Sequence, residues 1–308
     1  MKKFAPAFAL LVAAGLTAPV LAGFGGSIDG LQAESEYRLG SVQRSPTSFG
    51  NSTLGQIGAA NGSELNTAWY YTDGTNLYLQ FNGNLESNFN KFELFIDHKA
   101  GGQNQLRGDN PDVDFNGLNR MAGMKFDADF SPDTYITFGG GNNPYEIFGN
   151  AARLETAGGG QGNFAGTNNG QGVNGALTGG TNFLGMSIAI DNSNTGGVDG
   201  SSTADVLSPV TGFEFSIPLS SLGLTLASFN NGIGIAAMIN GGGHDFVSSQ
   251  VLGDGSSQIL SNGAHYGNPS NIDFTQFTGN QFFIIPTPGA AALLGLGALA
   301  AVRRRRAR

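Results

Sequence analysis

Of the chain's 308 residues, 50 are glycine, 23 are phenylalanine, 12 % are charged and none is cysteine. Disulfides, zinc–thiolate sites, iron–sulfur clusters and cysteine nucleophiles are thereby excluded, the aromatic content argues against simple disorder, and the absence of a Gly-X-Y period excludes collagen. The net charge of -8 hides an uneven spread: between basic ends, 8 Lys and Arg stand against 23 Asp and Glu, a balance that repels phosphate backbones and disfavours nucleic acid as a partner.

Residues 1–22 read as a secretory signal peptide and predict an N-terminal signal helix. Lys2 and Lys3 supply the positive start, Phe4 to Leu16 the apolar stretch, and Val20-Leu21-Ala22 the small-residue cleavage pattern. Export machinery is thus an expected partner. From Gly23 to Ile285 (23–285) the hydrophobic period is mostly two, which predicts a single all-β domain, an antiparallel β-sandwich of jelly-roll-like type.

In chain order, Ala68–Thr72 and Leu77–Phe81 flank Asp73-Gly74-Thr75-Asn76 as a hairpin. Lys91–Asp97 is the next strand, with Phe92, Leu94 and Ile96 on one face. Met121–Phe126, Thr134–Phe138, Tyr145–Phe148, Phe183–Ile190, Thr211–Ile217, Ile233–Asn240 and Gln281–Ile285 are further strands, and Leu219–Leu222 a helical turn. The Gly/Asn-rich stretch 158–181 has little to bury and predicts a long surface loop.

Three short motifs in this body form a second pattern. They are Ser27-Ile28-Asp29-Gly30, then Asn76–Phe81 followed by Phe92–Asp97, and late in the chain Phe213–Gly223. In order and spacing they resemble the family-9 carbohydrate-binding modules and their DOMON-like relatives. The resemblance implies a β-sandwich that binds a sugar, another ligand or a neighbouring protein.

Asp112-Val113-Asp114-Phe115-Asn116-Gly117 matches the opening of a calcium loop, with oxygen ligands at Asp112, Asp114 and Asn116 and a Gly for the sharp turn. Gly123 stands where the bidentate Glu belongs, so the same residues also read as an acidic turn. Calcium is the one cofactor the sequence points to. Asp191–Asp199 is a second loop with spaced oxygens and reads first as a polar hairpin loop. Gly170–Gly175 satisfies G-x-G-x-x-G without a flanking strand, helix or downstream acid, which rejects dinucleotide binding. No catalytic residue is assigned, because the histidines His98, His244 and His265 lie in no catalytic motif.

Sugar binding needs an exposed aromatic face flanked by polar groups. Trp69 and Tyr71 share one face of their strand, and His244-Asp245 follows three glycines at a loop tip. These four are the ligand-binding candidates, with polysaccharide the expected ligand. A secreted carbohydrate-active enzyme using two carboxylates is the alternative, and a haem-binding DOMON-type module a third.

The C-terminus, 286–308, carries Pro286-Thr287-Pro288, a 14-residue apolar run over 289–302, then Arg303, Arg304, Arg305 and Arg306. The run is short for a bilayer core that asks for about 20 residues, and the arginines favour a cytoplasmic end. Pro-x-Pro, a brief hydrophobic helix and a terminal Arg cluster resemble the PEP-CTERM sorting signal. Thr287 replaces the acidic middle residue usual in that family. The resemblance implies an exosortase-like sorting enzyme as partner and a transiently membrane-anchored, cell-surface or extracellular protein.

Overall fold

Alternation places the core. Lys91–Asp97 forms a strand whose Phe92, Leu94 and Ile96 are fully buried in one hydrophobic cluster, while Phe95 joins a second cluster on the opposite face. The computed structural model describes residues 24–47, 62–198, 202–226, 232–254 and 264–286. The signal segment 1–22, Thr287, Pro288, the apolar run 289–302 and the terminal arginines lie outside the described residues. Among the described residues no helix is long and apolar enough to cross a membrane.

Two antiparallel sheets enclose the first cluster. The five-stranded sheet runs β1 (Arg38–Val42), β2 (Glu64–Thr72), β3 (Asn76–Asn84), β10 (Gly212–Pro218) and β9 (Ser187–Ile190). The eight-stranded sheet runs β12 (Val247–Leu252), β11 (Ile233–Asn240), β4 (Lys91–Asp97), β5 (Thr134–Gly141), β6 (Glu146–Arg153), β7 (Gly162–Asn169) and β8 (Thr178–Gly179), with β13 (Phe283–Ile285) also on β11. Between the sheets Phe92 meets the rings of Phe81, Phe138, Phe213 and Phe215 at centroid distances of 5.0 to 5.7 Å. Such offset and edge contacts add to simple area burial.

The 73–76 hairpin forms as its turn chemistry demands, Asp73 Oδ1 accepting the backbone N–H of Thr75 and Asn76. Three segments depart from expectation. Residues 121–126 form turns with two isolated bridges at Lys125, to Gln105 and to Asp273, rather than a strand, because Met121, Met124 and Phe126 are all drawn into the second cluster. Only Ser187–Ile190 of the expected strand 183–190 is extended, since Gly185, at φ 59, turns the chain just before it. The stretch 158–181 is not one long loop: it contains β7 and β8. Glycine is what permits this, since a Cβ on Gly166 would lie 2.5 Å from Thr178 O and one on Gly180 2.4 Å from Ala165 C.

The outer face of the eight-stranded sheet is covered by an irregular layer from the β4–β5 connection and from residues 264–282. Phe126, Phe130 and Phe274 pack there on Phe95 and Tyr135. The outer face of the five-stranded sheet carries an N-terminal strap. Glu214 accepts the N–H of Asp29 and Gly30 and the hydroxyl of Tyr37, and Phe24 stacks on Tyr78 at 4.0 Å.

Candidate functional site

Where the irregular layer stops short of the sheet edge, a cleft of about 500 Å³ remains. Its floor is the outer face of β4 and β6, with Lys91, Phe148 and Asn150; its walls are Phe164 of β7, Phe89 and the loop Asp112–Phe115. Four phenylalanines therefore line one opening. Phe115 is 90 % exposed, Phe89 42 % and Phe164 40 %.

The backbone around this cleft is strained. Six non-glycine residues have positive φ among the described residues: Phe89, Asp114, Phe115, Asn116, Asn142 and His244. All but Asn142 belong to the cleft or its support. Left-handed geometry costs an L-residue on the order of 1–2 kcal/mol, and Phe115 regains little of that by packing. Such strain persists only where surrounding structure enforces it.

The enforcing structure is a buried polar chain. Lys91 Nζ lies 2.7 Å from Asp114 Oδ2. The same carboxylate oxygen is 2.8 Å from His244 Nε2, and His244 Nδ1 is 2.7 Å from Glu93 Oε1. Tyr135 donates to Glu93 Oε2 at 2.7 Å and Asn240 Nδ2 donates to Glu93 Oε1 at 3.2 Å. Strand alternation puts Lys91 and Glu93 on one face of β4. His244 arrives on the 241–246 turn, where Asn240 Oδ1 accepts the N–H of Gly241 and Phe246.

Charge within the chain balances. Burial alone would lower the His244 pKa, but the charges and hydrogen bonds of Glu93 and Asp114 outweigh it and raise it to about 9. Both ring nitrogens then donate. Burial works to raise the carboxyl pKa values of Glu93 and Asp114, yet His244 holds both below the ordinary range, assisted at Asp114 by Lys91. Two cations thus meet two anions, and the loop bearing Phe115 is clamped to the sheet.

Gly117 serves this clamp by its small size. A Cβ there would sit 2.1 Å from His244 Cδ2, so glycine makes room for the imidazole.

Asp114, from the candidate calcium loop, and His244, from the ligand-binding candidates, are thus brought into direct contact. Asp112 is exposed on the cleft wall, Asn116 accepts from Asn119 Nδ2 at 2.7 Å, and Asp245 is exposed beside Gly241 and Gly243. The Lys91 ammonium already occupies the cationic position beside Asp114, and among the described residues no group of three or more His, Asp or Glu could hold a metal ion. Trp69 and Tyr71 lie elsewhere, on the strap-covered face: Tyr71 is 7 % exposed and Trp69 donates to Thr67 Oγ1 at 2.9 Å.

Sequence reasoning missed Phe89, Phe115, Phe148, Phe164 and Lys91. The four phenylalanines are spread over 76 positions, and only the pairing of β6 with β7 and the fold-back of the 112–116 loop bring them together.

No protein-family model matches the chain, and no curated protein matches its sequence.

Proposed function

We propose that this chain is an exported surface or matrix protein with an adhesive, structural role, which binds a neutral glycan in the phenylalanine-lined cleft. On this reading the two sheets are a jelly-roll-like sandwich used as a binding module. Phe115 carries the argument: a strained phenylalanine, 90 % exposed and clamped by a buried ion-pair chain, has no folding reason to be where it is.

Sugar rings present C–H faces that stack on aromatic rings, and their hydroxyls need polar partners. Phe89, Phe115, Phe148 and Phe164 offer the faces, and Asn150 and Asp112 the partners. The acidic body and the pairing of Lys91 with Asp114 favour a neutral chain over an acidic one. A glycosidase would need one carboxyl kept protonated beside the ligand, and the cleft's Asp114 is held in the opposite direction. The binding reading is therefore preferred to the enzymatic one.

The test is retardation of the protein in gels containing neutral polysaccharides. Phe115→Ala and Phe164→Ala should each weaken binding about tenfold without lowering Tm; retardation unchanged in both variants contradicts the assignment.

The route out is part of the proposal: residues 1–22 direct export, and Pro286-Thr287-Pro288 with 289–302 and Arg303–Arg306 serve sorting through an exosortase-like enzyme at the membrane. Mass spectrometry of released mature protein should find Arg303–Arg308 removed. Their retention would contradict processing.

A further inference from the structure

At the turn joining β5 to β6 a second hollow, of about 390 Å³, is lined by Asn142, Asn143, Pro144, Glu146 and Asn169. Where the cleft is walled by rings, this one is walled by amides and a carboxylate. Asn142 Nδ2 donates to Glu146 Oε2. Glu146 Oε1 and the side-chain amides of Asn143 and Asn169 have no hydrogen-bond partner among the described residues.

Strand geometry joins the two openings. Glu146, Phe148 and Asn150 alternate along β6 and so share its outer face. Glu146 lines the second hollow, Phe148 and Asn150 the cleft. On β7, Asn169 is the register partner of Glu146, Thr167 of Phe148 and Phe164 of Asn150, so a threonine is all that β7 sets beside Phe148. On the other side Gly141 is the partner of Glu146, and a Cβ there would lie 2.4 Å from Phe89 Cζ. That glycine lets the Phe89 ring, 6.2 Å from the Phe148 ring, lie over β5 at the border of the two openings.

The far end of the run is polar too. Asn150 is 4 % exposed, and its amide makes no hydrogen bond among the described residues although it lies on the cleft floor. An amide so placed is left to water or to a ligand in the cleft. From Asn150 to Glu146 is four residues of extended strand, roughly 13 Å, which is longer than one sugar ring. Along that line the order is amide, aromatic rings, then carboxylate and amides. A single sugar meets only one end of it. A chain of linked sugars sets C–H faces on Phe89 and Phe148 and hydroxyls at both ends.

We propose that the cleft and the second hollow are one groove along β6 that takes several linked sugars of a linear neutral glycan, with Asn142, Asn143, Glu146 and Asn169 as a second, hydroxyl-binding subsite. The inference rests on the glycan reading of the cleft and adds to it the length of the ligand and its direction on the sheet. A carboxylate in this subsite accepts from hydroxyls and repels an acidic sugar.

The test first runs the full-length protein in gels containing hydroxyethylcellulose, starch, dextran or mannan. Calorimetry then gives the affinity for the mono-, di-, tri- and tetrasaccharide of whichever polymer retards it. Affinity should rise about tenfold from disaccharide to tetrasaccharide. Asn169→Ala, at an exposed position, and Glu146→Ala should each lower tetrasaccharide affinity far more than disaccharide affinity, whereas Phe115→Ala should lower both alike. Asn169→Ala decides the matter if Glu146→Ala does not fold. Affinity already complete at the disaccharide, or a tetrasaccharide gain that survives Asn169→Ala, overturns the second subsite and leaves the cleft reading standing. Retardation by none of the four polymers overturns the cleft reading and this inference with it.

Discussion

His244 sits between two carboxylates and so carries a charge where an ordinary histidine is mostly neutral. Its folded pKa of about 9 lies above the unfolded value of 6.5. The stabilisation from this pair of contacts is therefore complete below about pH 6.5 and lost as pH rises through about 9. Glu93 and Asp114 are shifted down, so their share is present above ordinary carboxyl pKa values and fades as pH falls beneath them. Stability should accordingly drop by on the order of 3 kcal/mol from pH 6.5 to 10. Denaturant unfolding across that range measures it, and His244→Gln should flatten the slope while costing about 3–5 kcal/mol at pH 7 by leaving two buried anions to one lysine. An unchanged slope in His244→Gln counts against the charged imidazole.

At the scale of elements, the sequence was readable where side chains alternate and unreadable where the backbone does the pairing. β4, the 73–76 hairpin, β10 and β11 announce themselves through runs such as Phe92-Glu93-Leu94-Phe95 and Ile233–Asn240. β7 does not, because Gly162–Asn169 holds just one fully apolar inward residue, Ala165, and joins β6 through main-chain bonds that composition cannot reveal. The Met121–Phe126 run misleads for the reverse reason: its apolar residues serve a layer built from turns. The site was half legible. The D-x-D-x-N-G pattern and the Gly-Gly-Gly-His turn each marked unusual backbone, and both prove to hold left-handed residues, Asp114 to Asn116 and His244. Their meeting across 130 positions, and the reason for Gly117, depended on the fold.

For the whole molecule, stability without cysteine rests on two apolar layers stacked on the eight-stranded sheet, one shared with the second sheet and one with the irregular cover. The cover's incomplete edge opens the cleft, so the feature that closes one core also shapes the proposed binding face. On the proposed reading, the body's excess of acidic residues favours a neutral ligand over an acidic one. Attraction resting on ring stacking and neutral hydrogen bonds is insensitive to salt, whereas attraction to a charged polymer weakens as the Debye length contracts. The most direct measurement is a calorimetric titration, at low and high salt, with an oligosaccharide cut from whichever neutral polysaccharide retards the protein. Saturable binding of equal affinity at both salt concentrations, lost in Phe115→Ala, is the predicted result. Affinity that collapses in high salt, or that survives Phe115→Ala intact, would contradict it.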